Sequence, residues 1–257
     1  LAVLFRRGEV VACNAPEEED NSVATPCPRF RHTPLLQGNL NGMILVTGAT
    51  GYTGRLLVKR LVANGEQLRL LVRSASSLGN LKLSGVETVT RDLRTGIEKE
   101  LGIGINTAIH LAGMEHVPAV ISALDGAAEQ VVVTSSLRLF SRVPSATTSK
   151  VAEGERELAA SGVPSTLLRP SMIFGPGNDR NICRLADQLR RIRVIPVLGN
   201  GRHLMQPVYV EDLVSAILAC MGNKKTIGKA YAIAGARALS YNELIDVVGE
   251  AVGVVPL

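Results

Sequence analysis

The sequence contains no tryptophan, and aromatic residues fill only 3% of its 257 positions. With so few rings, the stacking platforms on which single-stranded nucleic acids are held are missing. No uninterrupted apolar run approaches the ~20 residues a membrane helix needs. The longest candidates, such as Leu213 to Met221, are of core-helix length. Leu1 to Phe5 is too short an apolar stretch for a secretory signal. The four cysteines, Cys13, Cys27, Cys183 and Cys220, have neither metal-ligand nor redox-pair spacing, so free thiols in a reducing cytoplasm are expected. Strong charge of one sign is lacking too. The formal charge is +5, and residues 1–42 hold four Arg against four Glu and one Asp. A diffuse positive balance suits anionic ligands without arguing for nucleic acid.

What is present is hydrophobic material, 46% of the chain, enough for one large α/β domain or a domain with a small appendage. Residues 1–42 differ from the rest. Pro16 to Asp20 is acidic, Pro26, Pro28 and Pro34 break any period, and Gly38 to Gly42 reads as flexible. Little packed structure is expected there, with Met43 the natural start. Val254 to Leu257 stop in apolar sequence just past a helix, which reads as a fragment lacking its last elements.

The chain is organised around Met43 to Gly54. Met43 to Val46 is an apolar run typical of a buried parallel strand. Gly48, Gly51 and Gly54 follow at intervals of three, and a helical pattern begins directly after. A strand, a glycine-rich turn and a helix start in that order make a dinucleotide site. Gly48 allows the tight turn, Gly51 lets the backbone approach a pyrophosphate, and Gly54 lets the helix lie close to the strand. The helix amino end offers the phosphates free N–H groups and the positive end of its dipole.

Strand and helix signals then alternate. Strands are expected at Gln67 to Val72, Val86 to Thr90, Thr107 to Leu111, Gln130 to Thr134 and Val163 to Arg169, with a helix over Val151 to Ala160. Spaced in this way, they predict a Rossmann-type doubly wound parallel sheet over residues 43–170. Ligands in such sheets sit outside the strands' carboxyl ends. From Ser171 the pattern changes: a Gly175-Pro176-Gly177 loop, a helix from Asp179 to Arg191, a short strand within Gln206 to Val210, and a helix over Glu211 to Met221. Ser240 to Glu243 is a capping box that opens a last helix. Residues 171–257 are expected to form a small, partly interleaved lobe on the substrate side.

These landmarks together resemble the short-chain dehydrogenase/reductase superfamily in its extended or atypical branch. The motifs are Thr47 to Gly54, Leu71-Val72-Arg73, Arg91-Asp92-Leu93, His110-Leu111-Ala112-Gly113, Thr134-Ser135-Ser136, Leu168-Arg169-Pro170 and Gln206 to Leu213. They cover essentially everything after the leader. The last stretch, with the short link from Ser136 to Lys150, looks most like the group of the 39-kDa-type accessory subunit of respiratory complex I. The resemblance implies cofactor contacts from Gly48, Thr50, Gly51, Tyr52 and Gly54. It implies others from Asp92 and Leu93 at the adenine, from Leu111, Ala112 and Gly113 beneath the cofactor, and from Lys150 and Pro170. Asp92 read by itself is equally well an ordinary cap.

An acid about 20 residues beyond the glycines would hold the ribose hydroxyl of NAD, whereas Arg there favours the 2′-phosphate of NADP. Arg73 stands 19 residues after Gly54 with no acid beside it, so NADP is expected, with NAD the alternative. In catalytic members, as the resemblance implies, a Tyr precedes a Lys by four residues on one helical face, and a strand-end Ser orients the substrate. Lys150 takes the Lys position, and Ser136, with Ser135 its rival, takes the Ser position. Ala146 stands where the Tyr should be, so the usual proton donor is missing.

Among substitutes, His110 reads as a satisfied interior histidine and Tyr209 as core. His203, in Gly199 to His203, is either a donor or a plain loop residue. The arginines of 180–193 read as a solvated helical face, or as a docking patch for an acidic partner, anionic lipid or phosphorylated substrate. Three functions remain open: an NADP-preferring oxidoreductase or epimerase-like enzyme acting on a small molecule or redox partner, a dinucleotide-binding accessory or assembly subunit, and an NADPH-sensing regulator. The expected location is the cytoplasm, or the periphery of a membrane complex.

Overall fold

The structure is a computed structural model describing residues 10–14, 29–30, 42–74, 85–96, 98–143, 145–177, 179, 181–197 and 199–256. Within the leader it describes two strands, β1 (Val10–Asn14) and β2 (Arg29–Phe30). Both pair at the edge of the main sheet, β1 with β12 and β2 with β1. The other residues of 1–41 lie outside the described ones.

Strand β3 (Met43–Thr47) lies inside the sheet, and its residues divide between two cores. Ile44 and Val46 join the apolar cluster on one face, while Leu45 joins the cluster on the other. That division explains the unbroken apolar run: with both faces covered, alternation with polar residues would bury unpaired groups. Helix α1 (Tyr52–Ala63) follows, with Gly54, Leu57, Val58 and Leu61 buried along one stripe. Gly65, at φ +80°, ends it. The next strands are β4 (Leu68–Val72), β5 (Val86–Thr90), β6 (Ile105–His110), β7 (Gln130–Thr134) and β8 (Ser165–Pro170). Helix α2 (Val117–Leu124) lies between β6 and β7, and α3 (Ala146–Ala160) between β7 and β8.

Beyond β8 come β9 (Ile173–Phe174), α4 (Ile182–Ile192), β10 (Leu204–Met205), β11 (Val208–Tyr209) and α5 (Val210–Cys220). The last elements are β12 (Ala230–Ala234), β13 (Leu239–Ser240) and α6 (Tyr241–Val252). The sheet order is β2-β1-β12-β8-β7-β6-β3-β4-β5. From β5 to β12 every neighbouring pair is parallel, and only β1 and β2 run antiparallel at the edge. This is a seven-stranded parallel sheet of Rossmann type. Helices α1 and α5 cover one face, and α2 and α3 cover the other. Two elements after Ser171, α5 and β12, thus belong to the main layer. The rest of that segment packs α4 against α6 around Phe174, Ile182, Leu189, Leu244 and Val248.

Several extents differ from expectation, two of them for evident local reasons. Helix α3 starts at Ala146 rather than Val151, because the Ser145 hydroxyl caps it by accepting from the Thr148 N–H at 3.1 Å. Strand β6 begins two residues early and stops before Leu111. Helix α4 begins at Ile182, after its cap residue Asn181, and the buried Asp179 carboxylate just ahead accepts from the N–H groups of Asn181, Ile182 and Cys183 at 2.9, 2.7 and 3.2 Å. Strand β8 excludes Val163 and Pro164. Among the described residues no helix is long and apolar enough to cross a membrane.

Candidate functional site

The chain leaves β3 for β4 and β5 on one side, then returns to β6 on the other. The strand order therefore reverses between β3 and β6, and a crevice opens outside their carboxyl ends. Gly48 turns the chain there at φ +73°, and a Cβ on it would stand 2.7 Å from the Leu111 carbonyl carbon. Gly54 packs the first turn of α1 onto that loop so closely that a Cβ would collide with the Gly48 carbonyl. The Gly51 N–H donates to the Gly48 carbonyl at 2.9 Å. Gly51 caps α1 without any side-chain hydrogen bond, and the first turn contains no acidic residue. A cradle that a single methyl would fill, facing an unblocked helix amino end, fits a pyrophosphate.

The other expected positions come to the same edge. Arg73 follows β4 and is exposed. Asp92 follows β5, but its carboxylate turns to Arg94, capping Leu93–Thr95 and pairing with the guanidinium at 2.6 Å. These bonds hold the Asp92 carboxyl well below the usual carboxylate range. Ala112 and Gly113 leave β6 beside the glycine turn. His110, at the end of β6, is fully satisfied: Nδ1 accepts from the Thr47 hydroxyl at 2.7 Å, and Nε2 donates to the Gly113 carbonyl at 3.1 Å. Burial pushes its pKa down to about 4. It is a structural histidine that fixes the Ala112–Gly113 corner.

The catalytic positions converge only in part. The Ser136 hydroxyl accepts from the Arg138 N–H at 3.2 Å, capping the turn Leu137–Phe140. Ser135 is buried, and its hydroxyl donates to Glu155. Lys150 is exposed on α3, with its ammonium 3.7 Å from Glu115, a residue of the turn just past Gly113. Ala146 is the first, exposed residue of α3. One group the sequence reading missed is Glu155, five residues after Lys150. It pairs with Arg169 at 2.6 Å, both side chains nearly buried, and joins α3 to the ends of β7 and β8. The Arg169 guanidinium lies 5.4 Å from the Phe140 ring centre. Nothing short of the fold brings Glu155 beside Arg169.

On the lobe side, the Tyr52 hydroxyl donates to the Pro176 carbonyl at 3.2 Å, joining the glycine turn to the Gly175–Gly177 loop. Burial, then the nearby Asp179 charge, raises its pKa above the ordinary phenol value. His203 is exposed and stacks on Tyr241 at 5.1 Å. Tyr209 packs at a tilt on Phe174. On α4, Arg184, Arg190 and Arg191 are exposed, with Arg193 just beyond in a left-handed conformation; Arg180 lies outside the described residues. Cys183 and Cys220 are free thiols, and no metal-binding group of His, Cys, Asp or Glu occurs among the described residues.

The chain matches the NAD(P)H-binding family model over residues 48–191, and the 3-beta hydroxysteroid dehydrogenase/isomerase family model over 143–254. It belongs to the short-chain dehydrogenase/reductase superfamily, in the extended, atypical branch. Among its relatives in that superfamily is the Dictyostelium discoideum mitochondrial NADH dehydrogenase [ubiquinone] 1 alpha subcomplex subunit 9. That protein is 30% identical over 87% of this chain and 67% of its own length. The ceramide reductase of Caulobacter vibrioides is 30% identical over 69% of this chain and 60% of its own length. The chain thus spans about 60 to 67% of these two relatives. The UDP-glucuronic acid 4-epimerase of Bacillus cereus, solved with NAD, shares the fold at a TM-score of 0.74 and 19% identity. It covers 83% of this chain and 84% of its own.

Proposed function

We propose that this short-chain dehydrogenase/reductase binds NADP(H) in preference to NAD(H) and passes hydride to or from an acceptor that needs no tyrosine acid. The observation that carries the cofactor preference is Arg73, exposed at the end of β4 where NAD-binding sites place an acid. Arg can grip a phosphate with two parallel N–H bonds and stack on a purine. Gly48, Gly51 and Gly54 would hold the pyrophosphate, and Lys150 the nicotinamide-side ribose. Bound there, the nicotinamide supplies the hydride. The chain's own contribution to acid chemistry is small. Tyr52 spends its proton on Pro176, and His110 has both nitrogens engaged.

A second reading, a dinucleotide-binding accessory subunit or NADPH sensor, is favoured by Ala146 and by the similarity to complex I subunits. Fluorescence titration with NADPH and NADH tests the cofactor claim, and Arg73→Asp should weaken NADPH binding far more than NADH binding. Equal losses would remove the phosphate grip. Oxidation of bound NADPH on adding aldehydes, quinones or flavins supports the enzyme reading. Tight binding with no oxidation by any of them supports the accessory one.

A further inference from the structure

The adenosine end of the crevice is built where β4 and β5 stop. The two strands run parallel with Val72 opposite Thr90, and the Arg91 N–H closes the pairing on the Val72 carbonyl at 2.9 Å. Arg73 and Asp92 therefore leave the sheet at the same edge, one and two residues past the last pair. Opposite charges so placed attract each other. A direct Arg73–Asp92 pair would occupy the guanidinium a 2′-phosphate needs, and a bare Asp92 would repel a group carrying nearly two negative charges.

Asp92 is engaged elsewhere. Arg94 Nε lies 3.1 Å from both carboxylate oxygens, Nη2 lies 2.6 Å from Oδ2, and the Arg94 backbone N–H donates to Oδ1 at 3.0 Å. The two side chains form a forked, charge-assisted pair. Arg73 makes no hydrogen bond or ion pair with any other described residue. It exerts only a minor through-space pull on Asp92, well behind that of Arg94.

We propose that Arg94 determines cofactor specificity: by engaging and neutralising Asp92, it keeps the Arg73 guanidinium open to the 2′-phosphate of NADP(H). This rests on the reading that the site prefers NADP(H). It assigns the preference to three residues instead of one. It also gives Asp92 a task other than facing the adenine, since its lone pairs are already directed at Arg94. Arg94→Ala is a clean probe, because it keeps the backbone N–H that bonds Asp92 in the Leu93–Thr95 turn while removing the side chain beyond Cβ, guanidinium included.

The test is calorimetric titration of the whole chain with NADPH and with NADH, for wild type and three variants. Arg94→Ala should weaken NADPH binding about five- to tenfold while NADH changes less than about twofold. Adding Asp92→Asn to Arg94→Ala should restore NADPH binding to within about twofold of wild type, because the stray charge is gone. Equal weakening of both nucleotides, no weakening, or no restoration in the double variant would each overturn the proposal. Arg73→Ala separates it from the parent reading. If wild type shows no NADPH preference, or Arg73→Ala leaves that preference intact, the phosphate reading falls and this one with it. If Arg73→Ala abolishes the preference and Arg94→Ala is silent, only the role of Arg94 is lost.

Discussion

His110 shows how one residue can shape the site without taking part in chemistry. Its ring is clamped between the Thr47 hydroxyl and the Gly113 carbonyl, so the ends of β3 and β6 are tied where the cofactor would lie. The clamp suits the neutral ring, and burial lowers the pKa from 6.5 to about 4. Between those values the unfolded chain takes up a proton that the folded chain refuses. Stability from this group is thus present above pH 6.5 and falls as pH drops towards 4, by about 3 kcal/mol in all. His110→Gln should flatten the pH dependence of the urea midpoint across that window relative to wild type. Parallel slopes would show that other groups govern acid sensitivity. Thr47→Val leaves Nδ1 without its donor and should cost about 1–3 kcal/mol at neutral pH.

At the scale of elements, the decisive contact is between α3 and the turn after β6. Gly154 lies so close to that turn that a Cβ would meet the Met114 carbonyl carbon at 2.7 Å. This approach brings Lys150 within reach of Glu115 and sets the α3 amino half over the crevice. Gly154→Ala should therefore destabilise by about 1–3 kcal/mol, although alanine is the better helix former. Chemical denaturation checks it, and a rise in stability would mean that the packing yields easily. Helix α6 is held by local chemistry instead. Ser240 and Glu243 exchange side-chain and backbone bonds, and Gly253 ends the helix at φ +71°.

At the scale of the molecule, the parallel sheet is closed by a late strand. β12 returns from beyond the lobe to pair with β8, and buried Gln130 helps fix that return: Nε2 donates to the Cys220 carbonyl at 2.9 Å, and Oε1 accepts from the Gly222 N–H at 2.9 Å. A ligand that binds only the folded sheet stabilises all of it. NADPH at about 100 times its dissociation constant should add ~2.7 kcal/mol, which raises the melting temperature of a chain this size by about 5–10 °C. Differential scanning calorimetry with and without NADPH measures this. An unmoved transition would mean that the crevice does not hold the nucleotide.

The sequence by itself determined the strand–glycine–helix unit and the parallel, Rossmann-type character of the central sheet. Those features rest on local signals: apolar runs where both sheet faces are covered, glycine where a Cβ would strike the backbone, and a serine three residues before a glutamate at a helix start. Helix α2 was not legible, because Val117 to Leu124 is only eight residues long and apolar on nearly every side. β12 was missed because a short run rich in alanine carries little strand signal until a neighbour pairs with it. Tertiary structure alone decided which charges meet. Glu155 reaches Arg169 from a different element, Lys150 finds Glu115, and the Tyr52 hydroxyl crosses to Pro176. Ion pairs between distant segments have no period in the chain, and only the folded geometry selects among the many charges that could have paired.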